Sequence, residues 1–352
     1  MPDVPDGLLQ PPILLTANLP GIGGVLKERL EDFIVEEIPA YLPSGAGDHL
    51  YLWIEKRDMG AEFFQRQIAQ RLNITTGEIG TAGMKDRRAV TRQWVSVPAR
   101  CEPQVAQLEG EGITVLQVSK HGNKLRPGHL HGNRFEIVLR NVTSTDSLPT
   151  ILDTIQQQGL PNYYGSQRFG RDQETLRIGW AMLHGERAKV GHFLRKLALS
   201  AVQSALFNRY LSQRLQDGLF RQVLLGDVMG KWPAGGMFVT SDTVTEQARF
   251  EQREIVHMGP MFGSKMRAAE GPAHLREMKL LEELQLTLDQ FHTGGKLLEG
   301  TRRHNLIYVE ELQWTAQVGV VTLKFTLPAG SYATVLLAEI MKTTDSTPVD
   351  GD

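Results

Sequence analysis

The chain has 352 residues, 41% apolar and 22% charged, with a formal net charge of −2. Length alone predicts roughly two domains of about 100–200 residues. One cysteine, Cys101, excludes an internal disulfide framework, and no apolar run approaches the roughly 18–20 residues of a membrane helix.

Residues 1–24 are rich in Pro and Gly and read as an extended arm. They lack the basic and apolar regions of a secretory leader, so with a lone cysteine the cytosol is the expected compartment. Residues 33–38 and 49–56 read as strands, the second with Leu50, Leu52 and Ile54 on one face. A turn at 43–48 separates them. Phe64, Ile68 and Leu72 lie four apart, predicting a helix over 61–72. Short strands follow near 93–97 and 114–120, then a loop at 122–132 and a strand over 135–142. A helix is expected over 147–157. Strands and helices alternate without a strict βαβ repeat, which predicts an α+β fold with a mixed or antiparallel sheet.

The texture changes near 160. A long helix is expected from 190 to about 214, with Phe193, Leu197, Ala201 and Ala205 on one face. Its His192, Arg195 and Lys196 read as a solvated face, with a surface for nucleic acid as the alternative. A Gly-rich, strand-like stretch spans 226–240, in which Asp227 has no evident partner, nor has Asp242 beyond it. A second helix is expected over 276–291. Strand texture returns at Val321, Leu323, Phe325 and Leu327, which alternate with polar residues. The turn at 328–331 leads into a helix with Ser331 as its N-cap. The acidic tail, 343–352, is expected to be frayed.

The chemistry concentrates in residues 81–94. Asp86 stands there among Lys85, Arg87, Arg88 and Arg92. Nearby cations keep a carboxylate ionised, as a nucleophile requires. Gly83 allows close backbone approach to a ligand. From the charge pattern alone, an aspartate salt-bridged within a basic loop is the competing reading. Residues 81–140 hold ten basic and five acidic side chains, so the rest of the chain carries −7. From charge alone such a basic block reads equally as a solvated face or as a surface for a phosphate-lined partner. His129 and His131 form a His-x-His pair, but no ligand set completes a metal site at the usual spacing, so a loop reading is preferred.

The segment Gly83, Lys85, Asp86, Arg87, Ala89, Val90, Thr91, Gln93 and Trp94 resembles the signature of the TruD family of tRNA pseudouridine synthases. Residues 24–27 (Gly-Val-Leu-Lys) with 31–35 (Glu-Asp-Phe-Ile-Val), 132–135 (Gly-Asn-Arg-Phe), 162–170 (Asn-Tyr-Tyr-Gly-Ser-Gln-Arg-Phe-Gly) and 327–334 (Leu-Pro-Ala-Gly-Ser-Tyr-Ala-Thr) resemble its other motifs in order. The resemblance covers about residues 24–342. It implies a pseudouridine-synthase catalytic domain at 1–158 and 307–342, with an α/β TRUD domain inserted at 159–306. It also implies isomerisation of uridine 13 of tRNA, without metal or organic cofactor.

On this resemblance Asp86 is the catalytic aspartate. It acts either by attacking C1′ of the ribose or by assisting a glycal route. Phe33, Asn133 and Tyr332 fall on substrate-contacting positions, and Phe135 on the aromatic that stacks on the target base. Lys27 is the candidate cation to pair with Asp86. Tyr332 stands where the family often has Phe, which keeps the ring and adds a hydroxyl. The expected partner is tRNA and the expected state a monomer, with no membrane. A catalytically silent RNA-binding protein on the same fold and an N-glycosidic hydrolase are the alternatives.

Overall fold

The structure is a computed structural model, and it describes residues 3–293 and 295–343. In chain order it contains α1 (Asp6–Leu9), β1 (Gly23–Leu26), β2 (Phe33–Pro39), β3 (His49–Arg57), α2 (Ala61–Arg71), β4 (Gly80–Thr81), β5 (Val90–Pro98), β6 (Ile113–His121) and β7 (Leu130–Val142). Then come α3 (Leu148–Gln158), β8 (Leu160–Pro161), α4 (Glu174–Leu183), α5 (His192–Gln216), β9 (Val228–Lys231), β10 (Met237–Val239), α6 (Thr243–Glu251) and β11 (Ile255–Met261). The last elements are α7 (Gly271–Glu283), α8 (Leu288–Thr293), β12 (Thr301–His304), β13 (Leu306–Ile307), β14 (Glu310–Gln317), β15 (Val320–Pro328) and α9 (Ala333–Met341). The class is α+β. The described residues form two compact units, one within 20–150, 309–333 and 340–343, the other within 3–19, 151–308 and 334–339.

The first unit is built on one mixed sheet in the order β14-β15-β7-β2-β5-β3-β6. All pairs along this path are antiparallel except β2 with β5, which run parallel with Ile34 opposite Val90. Parallel pairing sets the starts of β2 and β5 side by side. The loop before β5, which carries Asp86, therefore emerges beside the chain leading into β2. Cross-strand partners lie on one face of a sheet. The pairs Lys56–Thr91, Thr91–Val35, Val35–Phe135 and Phe135–Phe325 thus form a single row across five strands. Every member of that row is buried. On the same face Leu50, Leu52 and Ile54 pack against Phe64 and Ile68 of α2.

In the second unit, α5 supplies Val202, Leu206 and Tyr210 to a core with Trp180 of α4 and Leu280 of α7. The opposite side of α5, through Phe207 and Leu211, packs against Ile255 and Val256 of β11. Several expectations need correction here. Residues 1–24 are not a bare extended arm: α1 forms, and Val4 and Leu8 join the first of these cores. The helix expected over 276–291 is two helices. α7 starts at Gly271 and ends at Glu283, with Gln285 at φ +55° before α8. Apolar residues at 281, 284, 288 and 291 keep helical spacing across that break, so periodicity cannot reveal it. Asp227 is buried against Arg214, and Asp242 caps α6 by accepting the Val244 and Thr245 N–H groups. β7 begins at Leu130, so His131 lies in a strand, not in a loop. α9 begins at Ala333, which leaves Ser331 one position short of the cap. The tail expected to fray lies outside the described residues from 344 onward.

Candidate active site

Asp86 sits between β4 and β5 on a loop held from several sides. Ala82 is buried and its carbonyl accepts the Gly128 N–H at 3.1 Å. The buried Lys56 ammonium donates to the Asp86 carbonyl at 3.0 Å and to the Met59 carbonyl. Lys85 turns inward and pairs with Glu37 at 3.0 Å, both side chains being buried. Glu37 also accepts the Trp94 N–H at 3.4 Å, which ties β2 to β5 where their ladder ends. Burial pushes the Glu37 carboxyl up from its ordinary range, and Lys85 offsets only part of that push.

Among the described residues the Asp86 carboxylate itself meets a single ammonium. Lys27 Nζ lies 3.0 Å from its Oδ2, and the Asp86 side chain keeps 35% of its surface exposed. Lys27 follows β1 at φ +57°, a left-handed conformation that a lysine adopts only when its surroundings hold it there. Its ammonium sits 4.3 Å from the Phe33 ring centroid, so one cation bridges an aromatic face and a carboxylate. Phe33 opens β2 just after Asp32. That buried carboxylate receives Arg140 Nε and Nη2 and the Arg29 N–H, which fixes the turn into the strand. Burial alone would raise the Asp32 carboxyl, but these donors hold it below its ordinary value.

Phe33 meets Phe135 edge to face at 6.3 Å, and Phe135 stacks on Phe325 at 5.1 Å. Contacts therefore link Asp86, Lys27, Phe33 and Phe135 in series. Phe135 is only 7% exposed and Phe33 2%. In this form they are packed rings, and a base can stack on Phe135 only once its face is uncovered. Asn133 lies two residues before Phe135 on the same face of β7, opposite Glu37 and Leu327. Its side-chain oxygen is shut from solvent and accepts no hydrogen bond among the described residues. Tyr332 is half-buried in the turn between β15 and α9. That turn stays beside the Asn133 end of β7 through the Ala329 N–H, which donates to the His131 carbonyl at 3.0 Å.

Lys27 pairs with Asp86 as expected, whereas cations nearer to Asp86 in sequence serve other groups. Lys85 serves Glu37, and Arg92 serves Glu36 and Glu55. Arg87 and Arg88 point to the surface. The charge surplus of residues 81–140 is also largely spent within the fold. Arg100 pairs with Glu78, Lys120 with Glu102, Arg134 with Glu36 and Glu311, and Arg140 with Asp32. Sequence reasoning missed Lys56 and Glu37 altogether. The signal available was a charged residue on the apolar face of each strand, Lys56 in line with Leu52 and Ile54, and Glu37 in line with Phe33 and Val35.

His129 Nδ1 meets the Tyr41 hydroxyl at 2.6 Å. Among the described residues no group of three or more His, Cys, Asp or Glu is placed to hold a metal, and no helix is long and apolar enough to cross a membrane. A cavity of about 400 Å³ opens in the second unit, lined by Met182, Arg187, Arg195 and Leu297 among others. None of the site residues named above belongs to it.

Comparison with known proteins bears on what this arrangement is. The family model described as tRNA pseudouridine synthase D (TruD) matches residues 13–190 and 187–340. A tRNA pseudouridine synthase D from Anaeromyxobacter sp. (strain Fw109-5) is 44% identical over 335 residues, spanning 94% of this chain and 95% of that protein. One from Thermus thermophilus is 37% identical over 330 residues, spanning 93% and 91%. The crystal structure of a putative tRNA pseudouridine synthase D from Methanosarcina mazei superposes with a TM-score of 0.78 at 22% identity, covering 97% of this chain and 99% of that one, which shows a shared fold. With both segments of the family model covered and relatives well above 30% identity along nearly the whole length, the chain belongs to the tRNA pseudouridine synthase D family.

Proposed function

We propose that this protein converts a uridine of tRNA, uridine 13, to pseudouridine, with Asp86 as the nucleophile. The observation that carries the reading is the state of Asp86. Its carboxylate is one-third exposed, has one ammonium donor, and rides on a loop pinned by Lys56 and Lys85. A carboxylate so placed is oriented yet open to a substrate. The choice of position 13 rests on the resemblance of residues 83–94 to the family signature.

In this reading the target nucleotide leaves its stack and enters beside Asp86. The bond between uracil N1 and ribose C1′ breaks, by attack of Asp86 on C1′ or through a glycal. The freed uracil turns and C5 joins C1′, which breaks the Asp86–C1′ bond or, from the glycal, returns the proton to C2′; the C5 proton then leaves. Lys27, 3.0 Å from Asp86, balances charge as it shifts. The Asn133 side-chain oxygen accepts from the uracil N3–H or a ribose hydroxyl, the donor it lacks in the free protein. Phe33 and Phe135 form the aromatic floor, and Tyr332 contacts the nucleotide from the β15–α9 turn. We read residues 159–306 as the inserted domain that helps hold the tRNA. We further propose a cytosolic monomer that needs no metal or organic cofactor.

The test uses tRNA transcribed with tritium at C5 of uridine. Pseudouridine formation releases that tritium to water, with one equivalent per tRNA and the product mapped to position 13. Free uracil accumulating instead would make the protein an N-glycosidic hydrolase. Tight tRNA binding with neither product would make it a silent RNA-binding protein.

A further inference from the structure

The loop that carries Asp86 also carries Met84, which is 80% exposed. Several large apolar side chains are exposed among the described residues, but Met84 alone lies on this loop, two positions from the carboxylate. Its exposure does not come from a slack chain. Ala82 before it and Lys85 after it are buried, the Ala82 carbonyl is bonded to Gly128, and Lys85 is paired with Glu37. The backbone is held and the methionine is left projecting. Arg87 and Arg88 are exposed just beyond it.

A uridine inside a base-paired stem cannot reach a carboxylate until it is unstacked, and the gap it leaves closes unless something fills it. Apolar side chains, methionine among them, serve as wedges between base steps. An unbranched thioether adapts to such a gap and makes favourable contacts with aromatic faces. Arginines close to the wedge suit the phosphates that must spread around it.

We propose that Met84 is the wedge that enters the tRNA stack as the target uridine swings toward Asp86. The proposal rests on the pseudouridine-synthase reading above, and it adds a residue whose role is to hold the stack open without touching the reacting atoms. It predicts that the need for Met84 depends on how firmly the target is stacked.

The experiment measures single-turnover pseudouridine formation by wild type, Met84→Ala and Met84→Leu on two tRNAs. One is fully folded, and the other has the stem around the target opened by base changes. Met84→Ala is expected to slow the folded tRNA by about tenfold, since without the wedge part of the unstacking cost goes uncompensated. Met84→Leu stays within about threefold of wild type, and opening the stem restores most of the alanine variant's rate. With 2-aminopurine next to the target, fluorescence rises on binding to wild type and rises less with Met84→Ala. The proposal is overturned if Met84→Ala matches wild type on folded tRNA, or if its loss is the same on both tRNAs. Wild type making no pseudouridine on either tRNA would instead overturn the function proposed above.

Discussion

Asp86 and Asp227 each face a cation, Lys27 at 3.0 Å and Arg214 at 2.7 Å, yet they are built differently. Asp227 is 2% exposed, takes two bonds from the Arg214 guanidinium and a third from the Leu224 N–H. Arg214 spends its remaining donors on Leu219, Gln222 and Tyr210. Burial alone would raise the Asp227 carboxyl, but Arg214 and its neighbours hold it below its ordinary value. Nothing in that pair is left to react. Asp86 has one ammonium donor among the described residues and an open side, and its loop, not its carboxylate, carries most of the anchoring. A closed ion pair fixes a fold, whereas an anchored but open carboxylate is available for chemistry.

The contrast breaks most visibly at Asp227. Asp227→Ala leaves the Arg214 charge buried without its partner, which costs about 3–5 kcal/mol. Urea unfolding followed at Trp180 and Trp232, both in the unit that includes residues 151–308, should show that loss. Turnover per folded molecule should be unchanged. A variant as stable as wild type would mean that the pair contributes nothing to the fold.

Lys27 sharpens the other side. Its partner is one-third exposed, so Lys27→Met should change stability by no more than about 1 kcal/mol. Turnover should fall by about a hundredfold to a thousandfold, the range expected for removing one aligned donor from a centre where charge develops. A fall in stability with turnover kept would make Lys27–Asp86 a structural pair like Arg214–Asp227.

Acid should separate the two units more gently. Burial first, and the Arg214 charge next, hold His257 down to about 3. Burial and Arg303 hold His304 down to about 4. Both stay neutral when folded, and both take a proton when unfolded below about pH 6.5. As pH falls the unfolded state gains protons, so the stability present above about pH 6.5 is progressively lost. By about pH 6 the two together should cost the second unit about 1–2 kcal/mol. Thermal melts read through Trp180 and Trp232 should move down, while signals from Trp53 and Trp94 move less. Equal shifts at both sets would contradict this reading.

What the sequence made legible follows from range. The strands over 33–39, 49–57 and 320–328 alternate in hydrophobicity, and their pattern is local. β14 escaped because seven of its eight residues are exposed, giving an edge strand no apolar alternation to read. β11 escaped for the opposite reason. All seven of its residues are buried, and Gly259 and Pro260 within it argue against a strand. Asp86 stood out through a long motif. The pairing of Lys27 with Asp86 joins residues 59 apart and depends on the parallel β2–β5 register, which no spacing encodes. Glu37 and Lys56 were passed over because a charged residue near the end of a strand reads as solvent-facing even where it continues the apolar face.

The most direct measurement sets Asp86→Asn beside wild type in one experiment. It follows single-turnover tritium release from C5-labelled tRNA, tRNA affinity and melting temperature on the same preparations. Release should fall by at least about a thousandfold, with affinity within a few-fold and melting unchanged. An Asp86→Asn protein that still releases tritium near the wild-type rate would contradict Asp86 as the nucleophile.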